Sequence, residues 1–138
     1  MSLKNFIVLV LSVLPALGVV LVGGCATTQV IKDITPQEAF NLIQDNQNNP
    51  DFVIIDVRTP QEFAEEHIEN ASNIDFYSET FRDELDNLDK NKTYLIYCRS
   101  GGRSGNALNI MADLNFREAY NMLGGINQWE SEGLPTTK

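Results

Sequence analysis

Cys98 opens the run Cys98-Arg99-Ser100-Gly101-Gly102-Arg103-Ser104, and no other stretch of the 138-residue chain gathers as much chemical potential. The apolar stretch Thr93–Tyr97 precedes it, and a helical pattern with Ala107, Leu108, Ile110, Met111 and Leu114 apolar follows. This order predicts a sulfur at the carboxyl end of a buried strand. Glycines at 101 and 102 allow backbone N–H groups to turn toward one centre. The start of the next helix adds unpaired N–H donors and a positive dipole end, and Arg99 and Arg103 add full charge. Such surroundings favour thiolate, the reactive form of cysteine. The Arg, Ser and two Gly that follow Cys98 argue against its burial in an apolar core.

The elements that must hold this loop are legible around it. Thr35-Pro36-Gln37-Glu38 and Thr59-Pro60-Gln61-Glu62 each combine a capping box with proline at the first helical position. Strands are expected at about 30–34, 52–56, 73–74, 93–97 and 117–121, and helices at about 36–46, 60–66, 79–88, 103–114 and 125–132. Alternating strands and helices imply a mainly parallel sheet of about five strands, covered on both faces as a three-layer α/β/α sandwich. Asp56 and Arg58 end the second strand on the same sheet edge as Cys98, where ligands of open α/β sheets gather. Asp56 either pairs with a loop arginine and fixes the loop, or bonds local backbone. Trp129 reads as core packing. The acid-rich stretch from Ser78 to Asp89 reads as a solvated helix face. No metal-ligand cluster and no cofactor motif is present.

These segments resemble a single-domain rhodanese. Phe52–Arg58 is similar to that family's strand ending in Asp-Val-Arg. His67-Ile68-Glu69-Asn70-Ala71-Ser72-Asn73-Ile74 resembles its His-Ile-x-Gly-Ala-x-Asn-Ile motif, Cys98–Ser104 its active-site loop, and Leu123-Gly124-Gly125-Ile126-Asn127-Gln128-Trp129 its Gly-Gly-x-x-x-Trp signature. Two positions depart from the pattern, with Glu66 and Asn70 standing where the family has Gly. Asn tolerates positive φ, so Asn70 can keep the turn. The resemblance makes His67 structural. It implies sulfur transfer in two steps: the Cys98 thiolate takes the sulfane sulfur of a donor such as thiosulfate, and a thiol or cyanide then removes it. Arg99, Ser100, Gly101, Gly102, Arg103 and Ser104 would bind the donor, the arginines holding its anionic end and Ser104 donating a hydrogen bond or capping the helix. From Cys98 to Arg103 is six residues. Related phosphatases and arsenate reductases carry one residue more, so the shorter ring favours a persulfide over a phosphate. A binding or redox-sensing module on the same fold is the other reading.

The amino end concerns location. Lys4, the apolar run from Phe6 to Val22 and the small residues Gly23-Gly24 before Cys25 read as a secretory signal. Val22-Gly23-Gly24-Cys25 resembles a bacterial lipobox, which implies cleavage before Cys25, lipid on Cys25, and a domain tethered outside the cytoplasm. An uncleaved span is the alternative. The expected organisation is signal 1–24, lipidated Cys25 and tether to 31, and domain 32–138. With Cys25 lipidated, Cys98 has no disulfide partner. Asp and Glu outnumber Lys and Arg by 19 to 10, a formal charge of −9. Such a surface argues against nucleic acid and anionic lipid headgroups as partners. A monomer is expected, with a small anionic sulfur donor and a thiol or cyanide acceptor as its partners.

Overall fold

The computed structural model describes Gly24 and residues 28–138. The expected signal and Cys25 lie outside the described residues. Among the described residues no helix is long and apolar enough to cross a membrane.

Ten elements alternate along the chain: β1 (Val30–Ile34), α1 (Pro36–Asp45), β2 (Phe52–Asp56), α2 (Pro60–Glu65), β3 (Ser72–Asn73), α3 (Phe81–Asp86), β4 (Thr93–Tyr97), α4 (Gly102–Asp113), β5 (Glu118–Met122) and α5 (Gly125–Ser131). The five strands form one sheet in the order β1-β5-β4-β2-β3, and every pairing is parallel. The α/β sandwich expected from the alternation is thus the fold observed. β1 begins at Val30, two residues before the expected domain boundary. The Gln29 side chain donates to the carbonyls of Ala112 and Phe116, so it is anchored at the end of α4 as well.

Two apolar clusters line the two sheet faces, and strand periodicity explains the division. Ile55, Val57, Tyr94 and Ile96 point toward Phe81 and Leu85 of α3 and Ala107, Leu108 and Met111 of α4. Ile54, Leu95, Tyr97 and Met122 point toward Ala39 of α1 and Ile126 and Trp129 of α5. Trp129 is buried and its indole N–H donates to the Pro135 carbonyl at 2.9 Å. It packs the core, as its place in the sequence implied.

Both Thr-Pro-x-Glu boxes form as read, with reciprocal Thr–Glu capping bonds. Asn70 has φ 65° and supplies the left-handed turn. Glu66 needs no such conformation. It is extended, at φ −169°, and its carbonyl accepts from the Arg58 guanidinium. α2 therefore ends at Glu65, one residue short of expectation. α3 starts at Phe81, because Ser78–Thr80 close a turn in which the Phe81 amide bonds the Ser78 carbonyl.

β2 and β4 are neighbours, but their connections diverge. The chain leaves β2 through α2 toward β3, and leaves β4 through α4 toward β5. This is a topological switch point, where the strand ends of an open α/β sheet leave a crevice. Cys98 follows β4 at this point.

Candidate active site

The Cys98 loop is shaped from two sides. At its far end Gly101 adopts φ 101°, a conformation costly for any residue with a Cβ. α4 then begins at Gly102. From below, the start of α5 supports the loop: the amides of Ile126 and Asn127 donate to the carbonyls of Cys98 and Arg99 at 2.9 and 3.1 Å. The approach is so close that a Cβ on Gly125 would lie 2.5 Å from both of those carbonyl oxygens. The glycine pair of the carboxyl-terminal motif thus has a mechanical role under the cysteine.

Cys98 corrects one expectation. It is 1% exposed and packs with Ile55, Val57, Tyr94 and Ile96. The alternation of β4 runs one residue beyond the strand, so the side chain points to the same face as Tyr94 and Ile96. The loop above it remains open to solvent at Arg99, Ser100 and Gly102. The sulfur thus lies on the floor of a polar ring and at the edge of the core. The Gly101 amide donates to Sγ at 3.1 Å and the Ser104 hydroxyl at 3.3 Å. Burial pushes the Cys98 thiol pKa up. Hydrogen bonds from the Ser104 side chain and from the amides of Ser104, Gly101 and Ser100 outweigh it, and the net shift is downward. Ser104 acts on sulfur rather than as the helix cap, since the N-cap position belongs to Gly101.

The two loop arginines converge on one carboxylate. Arg103 forms a fork with Glu62, Nη1 to Oε2 at 2.8 Å and Nη2 to Oε1 at 3.0 Å. Arg99 donates from Nε to Oε1 at 3.0 Å. Glu62 also closes the cap of α2 through the Thr59 amide and hydroxyl. The Arg103 fork holds the Glu62 carboxyl far below its usual range, against a smaller opposing effect of burial. Tyr77 lies under the Arg103 guanidinium, 5.5 Å from ring centroid to Cζ. Sequence reasoning missed Glu62 as part of the site because the capping box already accounted for it. The available signal was its place, just past the strand that ends beside the Cys98 loop, in a site with two arginines to neutralise.

Asp56 pairs with neither loop arginine; of its two readings the local one holds. It is fully buried and binds Arg58, also buried, through Nε at 3.0 Å and Nη2 at 2.8 Å. It accepts the Arg58 amide at 2.9 Å as well. The two residues are only two apart at a strand end, so the guanidinium folds back on its neighbour before it can reach across the sheet. Arg58 extends the link to Glu66, and the Asn73 side chain donates to the carbonyls of Asp56 and Arg58. Asp56 and Arg58 brace the strand end beside the loop. His67 is engaged elsewhere: its Nδ1 lies 2.9 Å from the Phe63 carbonyl and its ring stacks on Phe63. The large cleft of about 810 Å³ lined by Phe40, Phe52, Ile68 and Trp129 includes no residue of the Cys98 loop.

A parallel α/β sandwich with a cysteine-centred loop at its switch point is the class of fold observed. Within it the chain belongs to the rhodanese-like domain family, whose model matches residues 35–132. The uncharacterised protein slr1261 of Synechocystis sp. is 33% identical over 82% of this chain, which spans only 60% of that relative. The thiosulfate sulfurtransferase GlpE of Coxiella burnetii is 31% identical over 72% of this chain and 88% of its own length. Among solved structures, a rhodanese-like domain protein from Staphylococcus aureus is 34% identical with a TM-score of 0.63, covering 78% of this chain and 99% of its own.

Proposed function

We propose that the protein is a sulfurtransferase that carries sulfane sulfur as a Cys98 persulfide. The observation that carries this reading is the convergence of the Gly101 amide and the Ser104 hydroxyl on Sγ, at 3.1 and 3.3 Å, within a six-residue loop. Donors aimed at one sulfur stabilise the thiolate before attack and the persulfide anion after it, in the manner of an oxyanion hole. With thiosulfate, the Cys98 thiolate attacks the outer sulfur, the donor's S–S bond breaks, and sulfite leaves with the electron pair. Cyanide or a thiol then attacks the terminal sulfur, and the Cys98 thiolate is the leaving group. A preformed thiolate needs no general base.

Arg99 and Arg103 sit at the mouth of this ring, and Ser100 and Gly102 form its solvent-facing rim. Asp56 and Arg58 are positioning residues. The sulfurtransferase name of the GlpE relative supports the reading. The leader and Cys25 support a further part of it, a lipid-anchored location outside the cytoplasm, where the domain would meet small sulfur compounds directly.

The test is transfer to cyanide, read as thiocyanate, from a panel of sulfane donors. The wild-type chain turns over with at least one donor, and Cys98→Ser shows none above the uncatalysed rate. A correctly folded, reduced protein that transfers from no donor would instead be a binding or redox-sensing module.

A further inference from the structure

The charges at the loop balance without a substrate. Arg99 and Arg103 are both engaged by Glu62, and the Cys98 thiolate supplies the second negative charge. Two cations and two anions leave the ring, before loading, with no spare positive charge. Arg99 also lines a small hollow with Arg58 and the three carboxylates Glu65, Glu66 and Glu130, and the whole chain is strongly acidic. A compact dianion therefore meets a neutral site inside a negative field: it must displace the Glu62 carboxylate to reach the Arg103 fork, and at Arg99, held through Nε alone, it meets a cation that Glu62 already offsets.

Other surface features at the loop suit a different donor. Tyr77 is 67% exposed beside Arg103, and the backbone of exposed Leu123 passes next to Gly101. Tyr77, Leu123 and Val30 are the exposed large hydrophobic residues among those described. Two of the three therefore flank the Cys98 loop, where an apolar fragment could rest.

We infer that Glu62 is a specificity-determining residue that turns the site away from compact dianionic donors and toward organic hydropersulfides. This inference rests on the sulfurtransferase reading and narrows its donor class. In the step it favours, the Cys98 thiolate attacks the outer sulfur of R–S–SH and the donor's S–S bond breaks. R–S⁻ leaves with the electron pair, and the proton stays on the transferred sulfur to give Cys98–S–SH. No charge beyond that of the attacking thiolate enters the ring. The organic group R packs toward Tyr77, while Glu62 keeps Arg99 and Arg103 occupied.

The test compares the full chain with Glu62→Gln, a substitution that can retain the capping box because Gln serves in that motif as Glu does. Loading of Cys98 is followed by quenched intact mass with thiosulfate and with the hydropersulfide of 2-mercaptoethanol. Taking the ratio of the two rates cancels any change in thiolate fraction. The ratio, thiosulfate over hydropersulfide, is expected to rise about tenfold or more in Glu62→Gln, because the dianion then meets unopposed guanidinium charge. Both ratios are read only on Glu62→Gln protein whose far-UV circular dichroism and urea midpoint match wild type, and Glu62→Ala serves as the second variant if Glu62→Gln does not fold. Alkylation by iodoacetate relative to iodoacetamide gives a second readout that needs no sulfur transfer, and it rises in the same variant. A donor ratio within about twofold of wild type, or an unmoved alkylation ratio, overturns the inference, since a unit charge at this range must register in both. Failure of every donor to load the wild-type chain would overturn the sulfurtransferase reading itself and the donor class with it.

Discussion

At the scale of single residues, the reactivity of Cys98 is a contest between burial and hydrogen bonding. The apolar side of its environment disfavours charge, while the Ser104 hydroxyl and three amides favour it, and the donors prevail. Ser104 is the one donor among them that mutation can remove without disturbing the backbone. Hydrogen bonds to a charged group contribute about 1.5–3 kcal/mol, so Ser104→Ala should slow iodoacetamide alkylation about tenfold or more below the thiol's pKa. The sign follows from the direction of the shift: without this donor the thiol pKa rises, so the pH–rate profile moves to higher pH while its alkaline plateau stays. A profile that keeps its midpoint would show that the amides alone set the thiolate. The candidate nucleophile was legible because Arg, Ser and two Gly after a strand match few other purposes. Its burial was not, since loop composition conceals that strand alternation continues through residue 98. Glu62 was hidden for a different reason: one carboxylate serves both the Thr59 cap and two arginines, and the local role was sufficient to explain it.

At the scale of elements, the loop is held by its neighbours more than by itself. α5 presses its first amides into the carbonyls of Cys98 and Arg99, and Gly125 exists to permit the contact. Gly125 has φ 58°, and an added Cβ would meet those carbonyl oxygens. Gly125→Ala should destabilise the protein by about 2–5 kcal/mol, combining left-handed strain with overpacking, and should also slow reaction at Cys98. Gly102 opens a helix too, yet a Cβ there would have nothing within 4 Å. Gly102→Ala is expected to be neutral or stabilising by up to about 1 kcal/mol. Urea melts of the two variants check the contrast, and equal losses would contradict it. The helix starts were readable because capping boxes and prolines are local signals. The Gly124–Gly125 pair was readable only as a motif, because the reason for it is a carbonyl pair 26 or so residues earlier in the chain, brought beneath it by the fold.

At the scale of the whole molecule, alternation of strand and helix sufficed to predict a parallel, three-layer sandwich. It did not specify the strand order β1-β5-β4-β2-β3, which depends on how helices of different length and polarity pack across two faces. That order creates the switch point between β2 and β4, and it brings α2 and its Glu62 over the start of α4. The most direct test of the central claim, a persulfide on Cys98, is intact mass of the protein before and after exposure to thiosulfate and to an organic hydropersulfide. The account predicts a gain of about 32 Da, one sulfur atom, that cyanide removes and that Cys98→Ser never shows. A reduced, alkylatable Cys98 that gains no mass from either donor would contradict it.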